Sequence, residues 1–107
     1  MHEIVVNLHM HTRYSDGSGT HKDIAQAAIQ TGLDAVIVTD HNTLVQGLEG
    51  YYRFGPSRVL LLVGEEIHDQ DRVPQKNHLL VFNANRDLAS LADDPQTLIN
   101  GVRDAGG

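Results

Sequence analysis

Apolar residues fall in short runs parted by polar stretches, and within each run they do not alternate with polar ones. Ile4-Val5-Val6-Asn7-Leu8, Ala35-Val36-Ile37-Val38, Val59–Val63 and Leu79-Leu80-Val81-Phe82 read as four buried strands. After the first, Asp16-Gly17-Ser18-Gly19 is a turn and Thr20 stands as an N-cap. Ile24, Ala27 and Ala28 then recur at helical spacing and Gly32 offers a C-cap, so a helix is predicted through about Gln30. Thr43 caps a second predicted helix over about 44–52, stopped before Gly55-Pro56. A third helical stretch runs from Ala89 to Gly101 with a break near Asp93-Asp94-Pro95, and its later part carries Leu98, Ile99 and Val102. His68–Asn77 is a polar hairpin or loop. Strands without alternation, separated by helices, predict parallel β/α units and an α/β fold class. Gly106 reads as a C-cap that hands over to a further strand, so residues 1–107 are expected to form the N-terminal part of a larger β/α domain.

Composition narrows the class. With 107 residues there is material for one core. Eight Lys and Arg against 14 Asp and Glu leave a net charge of -6, which disfavours non-specific binding to nucleic acid or anionic lipid. Cysteine is absent, so any metal must be held by nitrogen and oxygen. Val59–Val63, the longest fully apolar run, is too short to span a bilayer, and Met1-His2-Glu3-Ile4 shows no signal-peptide pattern. A cytoplasmic location with no membrane partner is expected. The unusual number is seven histidines.

Several of these stand beside strand ends. His9 and His11 follow the first strand, and on an extended backbone residues two apart point the same way, so both imidazoles can reach one metal. Asp16 lies in a turn five residues past His11. Thr39-Asp40-His41 follows the second strand, where Asp40 could bind metal or orient a histidine. Gly64-Glu65-Glu66-Ile67 follows the third, and its adjacent carboxylates should point opposite ways, one of them into the site. His78 precedes its strand, and by itself reads as a structural histidine in phase with Leu80 and Phe82. Three successive strands ending in His or Glu converge in any parallel sheet or barrel. Such a sulfur-free set suits Zn, Mn or Fe in a hydrolytic site.

Leu8-His9-Met10-His11-Thr12, Tyr14-Ser15-Asp16-Gly17, Gly32-Leu33-Asp34, Thr39-Asp40-His41-Asn42-Thr43, Gly64-Glu65-Glu66-Ile67 and His78-Leu79-Leu80 together resemble the PHP (polymerase and histidinol phosphatase) family of metal-dependent phosphoesterases, in order and spacing. The resemblance implies a distorted (β/α)7 barrel of the PHP type with two or three divalent metals at the strands' carboxyl ends. It implies that His9 and His11 bind one metal, that Glu66 bridges it to a second held by His78, and that Asp16 and His41 bind a third. Glu65 occupies a variable position, and His2, His21 and His68 match no family ligand. His21, in the first helical turn, is expected to be exposed; Arg13, between two ligand segments, could reach a substrate phosphate. The family's remaining ligands match nothing in residues 1–107, so this stretch alone is expected to be a partial domain with little or no activity.

The resulting expectation is metal-dependent hydrolysis of small phosphate monoesters or nucleotides, with a small phosphorylated substrate as partner and nucleic acid disfavoured by charge. The alternatives are an exonuclease or nucleotide phosphodiesterase of the same family, and a non-catalytic, metal-stabilised structural module.

Overall fold

The computed structural model describes residues 3–69 and 78–107. Five strands, β1 (Val6–Met10), β2 (Ala35–His41), β3 (Gly50–Phe54), β4 (Ser57–Ile67) and β5 (Leu79–Phe82), form one sheet among the described residues. Two α-helices, α1 (His21–Gln30) and α2 (Pro95–Asp104), and a 3-10 turn over Ala89–Leu91 complete them. None of the helices is long and apolar enough to cross a membrane. The fold is mixed α/β, compatible with part of a PHP barrel.

β1, β2 and β4 are parallel neighbours, as their unalternating apolar character predicts. Helix α1 provides the crossover between β1 and β2. Thr20 and Asp23 close a reciprocal capping box at its start, and Gly32 takes a positive φ of 82° beyond its end. Ile24, Ala25 and Ala28 of α1 pack on Val36, Val38, Val59 and Leu61, the residues of β2 and β4 that face it. A second core, of Ile67, Val81, Leu88, Leu98 and Ala105, lies under α2. On the sheet face away from α1, Val6, Leu8 and Leu62 stay exposed.

The long strand β4 serves two antiparallel partners along one edge. Residues 57–61 pair with β3, and residues 64–67 pair with β5. At the changeover, a Cβ on Gly64 would stand 2.5 Å from the Val81 carbonyl oxygen, so only glycine admits the close approach of β5.

The predicted helix over 44–52 is absent, and β3 takes up its last three residues. Leu44, Val45, Leu48, Tyr51 and Tyr52 do lie at helical spacing. Gly47 and Gly50, however, adopt φ of 94° and 141°, outside the helical region. Tyr51-Tyr52-Arg53-Phe54 then turns back through Gly55-Pro56, with Gly55 at φ 62°, as a two-residue hairpin turn requires. The sheet is therefore mixed rather than wholly parallel. β1, β2 and β4 also run two to four residues further than the apolar runs predict, so His9, His41, Glu65 and Glu66 lie inside strands rather than after them. The third helical stretch divides at the expected place, into the 3-10 turn and α2. His2 and all but the first two residues of the polar segment His68–Asn77 lie outside the described residues.

Candidate metal centre

The parallel register sets His41 beside Glu66 at the carboxyl ends of β2 and β4. A register shift in β1 between Asn7 and Met10 alters the alternation there, and His9 lies within it. His11 follows one residue after β1, and His78 arrives at the start of β5, antiparallel to β4 and next to its end.

Glu66 is the hub of the cluster. Its Oε1 lies 2.5 Å from His9 Nε2 and 2.9 Å from His11 Nε2, and its Oε2 lies 3.0 Å from His78 Nδ1. Burial pushes the Glu66 carboxyl up, but the hydrogen bonds from His78, His9 and His11 and the charge of His41 outweigh it and hold the group down at about 2. Glu66 is thus an anion, 4% exposed, surrounded by imidazoles. Asp16 forms a second focus. Its Oδ1 lies 2.7 Å from His11 Nδ1 and its Oδ2 lies 3.2 Å from His41 Nε2. His11 therefore presents one ring nitrogen to each carboxylate.

Three overlapping groups have donor atoms within 4.8 Å of one another: His9, His11 and Glu66; His11, Asp16 and His41; and His41, Glu66 and His78. All six residues singled out as ligands in the sequence come together. The grouping differs in one respect from the one the resemblance implies, since His11 and His41 each stand in two groups. Two donors of one ion with bonds near 2.1 Å sit about 3 Å apart, which is the spacing of most of these pairs. His41 Nδ1 is buried and has no hydrogen-bond partner, although Glu66 Oε2 lies 3.8 Å away. A cation between them would satisfy the His41 ring nitrogen.

The neighbouring residues hold this arrangement in place. Asp40, 1% exposed, hydrogen-bonds no histidine among the described residues. Its Oδ1 accepts from the Thr12 amide at 2.6 Å and from Ser15 Oγ at 2.7 Å, and its Oδ2 accepts from Thr12 Oγ1 at 2.7 Å. The loop that carries Asp16 is thereby clamped to β2. Glu65 points to the other face, where its Oε1 accepts from the Leu88 amide at 3.3 Å. Burial, then the adjoining Asp87 with its hydrogen bond and negative charge, raise the Glu65 carboxyl to about 8 against the opposing pull of the Leu88 amide.

Arg13 stands apart from the donors. It lines a separate hollow with Tyr14, His21, Lys22 and Tyr52. His21 is 2% exposed, not at the surface, and both its ring nitrogens are buried without partners. Desolvation lowers its pKa against the pull of Asp40. The apolar side of α1 continues into its first turn, and Tyr14 covers the ring edge-on at 5.7 Å between centroids, which explains the burial.

His68 was passed over in the sequence. It is 5% exposed, stacked on His78 with centroids 5.1 Å apart and set edge-on to His41 at 5.0 Å. Its backbone amide donates to Asn42 Oδ1, and the Asn42 amide donates to the Glu66 carbonyl. The signal that could have found it is its place two residues past Glu66, on the same side of an extended chain.

Comparison with known proteins adds an independent line. The family model described as PHP domain matches residues 7–91. The DNA polymerase III subunit alpha of Helicobacter pylori strain 26695 and that of strain J99 are each 30% identical over 90 residues, covering 76% of this chain. The chain spans 7% of the length of these relatives. No solved structure matches it significantly.

Proposed function

The chain belongs to the PHP domain family, and we propose from that premise that His9, His11, Asp16, His41, Glu66 and His78 hold the divalent metals of a site that hydrolyses phosphate esters. The observation that carries the reading is the Glu66 carboxylate, buried and met by imidazoles from β1, the loop after it and the start of β5. The donors suit such ions, being nitrogen and oxygen only, with a buried His41 Nδ1 left unpaired among them. Zn, Mn and Fe accept this set.

When bound, divalent metals supply Lewis-acid chemistry: they neutralise phosphate charge and activate water. The chain's own residues do the rest. Glu66 and Asp16 bring the negative charge that draws cations to this end of the sheet. Glu66 stays ionised across the physiological range because its histidine partners favour the anion. The Asp40 clamp fixes the loop between His11 and Asp16, so that the donors are arranged before any ligand arrives. No side chain is assigned as nucleophile. A small phosphate monoester is the proposed substrate, since a net charge of -6 works against long polyanions.

A second reading is favoured by the names of the relatives, which are polymerase subunits. In it the domain trims nucleotide ends, or serves as a metal-stabilised module without turnover. The test is a panel of phosphomonoesters, phosphodiesters and single-stranded DNA ends with Mn or Zn, run on residues 1–107 and on the longest native chain that contains them. Phosphate release from monoesters, abolished by Glu66→Ala, is expected. Cleavage confined to DNA ends moves the assignment to an exonuclease. Metal binding without turnover of any ester moves it to the structural module.

A further inference from the structure

The hollow that Arg13 enters has a volume of about 230 Å³ and lies where three segments meet. Arg13 and Tyr14 reach it from the loop after β1, His21 and Lys22 from the first turn of α1, and Leu48 and Tyr52 from β3 and the segment before it. None of the six metal donors lines it. It is smaller than the roughly 300–1,000 Å³ of drug-sized sites, so it suits a small ligand.

Positive charge comes to it from two segments. Hydrogen bonds with Thr20 hold the Asp23 carboxyl below its ordinary range, and the charges of Arg13 and Lys22 add to the effect, which puts both cations beside the start of α1. The capping box takes up the Thr20 and Asp23 amides. The His21 and Lys22 amides, first in the helix, have no partner within it, and the helix dipole adds positive potential there. The nearby carboxylates are engaged. Asp23 accepts from the Thr20 amide at 2.9 Å. Asp40, close enough to His21 for its charge to be felt, accepts three hydrogen bonds from Thr12 and Ser15.

His21 is the observation that points to a ligand. It lines the hollow, is 2% exposed, and has both ring nitrogens buried without partners. In either tautomer one of them is an N–H donor. A buried donor left unpaired marks a place where a ligand group completes the bonding. Donors thus come from the loop and from the helix toward one small volume, and a ligand that answers them carries several acceptor oxygens on one centre. We propose that this hollow is a metal-independent binding site for a phosphate-class oxyanion, held by Arg13, Lys22 and His21 and separate from the six-residue donor cluster. The site stands whether or not the phosphoester reading does.

The test is calorimetric titration of the metal-free protein with inorganic phosphate, phenyl phosphate and acetate. Phosphate is expected to bind, and acetate to bind at least about 10-fold more weakly, since a carboxylate offers fewer oxygens. Arg13→Gln and Lys22→Gln, both at exposed positions, should each weaken phosphate binding at least about 10-fold. His21→Phe keeps a ring and removes its nitrogens, and should do the same. If that variant folds poorly, the two exposed substitutions decide. Phenyl phosphate bound as tightly as phosphate, or more tightly, upholds the site and assigns it to the phosphoryl group of an organic ester. Phenyl phosphate bound more weakly than phosphate upholds it and assigns it to the free anion. The site is overturned by phosphate binding that needs added metal, by acetate binding as tightly as phosphate, or by an affinity indifferent to Arg13→Gln and Lys22→Gln.

Discussion

His41 Nδ1 and Glu66 Oε2 face each other at 3.8 Å across register partners of two parallel strands, and no hydrogen bond closes the gap. A buried ring nitrogen left without a partner in this way costs stability unless a third body joins it. The nearby donors already converge on the same carboxylate, so a cation is the body that suits the space.

The first prediction follows from that gap. Glu66→Gln keeps the shape of the side chain and removes the charge shared by two of the three donor groups. Zn or Mn affinity should fall by more than the 10–100-fold roughly expected for a residue outside the ligand set. Competition against a chelator of known affinity measures it. Wild-type affinity in a folded Glu66→Gln protein would remove Glu66 from the centre.

Asp40 supports a second prediction. It touches no metal donor, yet three hydrogen bonds tie it to Thr12 and Ser15. Asp40→Asn weakens all three at once, and bonds to a charged acceptor are worth about 1.5–3 kcal/mol each before compensation. A loss of about 2–3 kcal/mol in urea unfolding of the metal-free protein is expected. Metal affinity should also drop, by about 10–100-fold, because Asp16 is no longer aimed. Unchanged metal affinity with the loss of stability would reduce Asp40 to a purely structural role.

The site was more legible in the sequence than the fold, for a physical reason. Ligands placed at strand ends are announced by local pattern: an apolar run, then His or Glu. His9, His11 and His41 needed only that pattern, whereas the choice of Glu66 over Glu65 came from the family resemblance, since alternation says only that the two point opposite ways. His78 did not, because its strand runs antiparallel and it therefore enters the site from the strand's start. The segment over 44–52 misled because its apolar residues match helical spacing while Gly47 and Gly50 decide the backbone. His21 shows the same limit. A first-turn histidine reads as polar and exposed, and only the packing of Tyr14 over it reveals burial.

Gly17 carries a third prediction. A Cβ there would collide with the His11 carbonyl group, and all three nearest atoms, from His11 and Thr12, are backbone, so the loop itself must move. The Gly17 amide also donates to the Thr12 carbonyl at 2.9 Å, which the shift would break. Gly17→Ala should therefore draw Asp16 away from His11 and His41 while His9, His11 and Glu66 remain together. Metal stoichiometry should drop by one, with the tightest site retained. Loss of every site, or of none, would contradict the separation of the two foci.

The last prediction concerns pH and Glu65. Its carboxyl is raised from about 4.5 to about 8 in the folded chain by burial, by the hydrogen bond with Asp87 and by that neighbour's charge. Below about 4.5 both folded and unfolded chains hold the proton, and the group costs nothing. Between about 4.5 and 8 the unfolded chain releases it and the folded chain keeps it, so each pH unit removes up to about 1.4 kcal/mol of stability. Above about 8 both release it and the loss is complete. Glu65→Gln retains a hydrogen-bonding donor toward Asp87 and cannot ionise. The substitution is expected to flatten the pH dependence and to leave the variant more stable than wild type at pH 7 by about 1–3 kcal/mol. The measurement is urea unfolding of metal-free protein at intervals from pH 5 to 9, read as the difference between variant and wild type so that the histidines common to both cancel. A difference that stays constant across that range, or that favours wild type as pH rises, would show that Glu65 is ionised in the native protein and that Asp87 does not hold its proton.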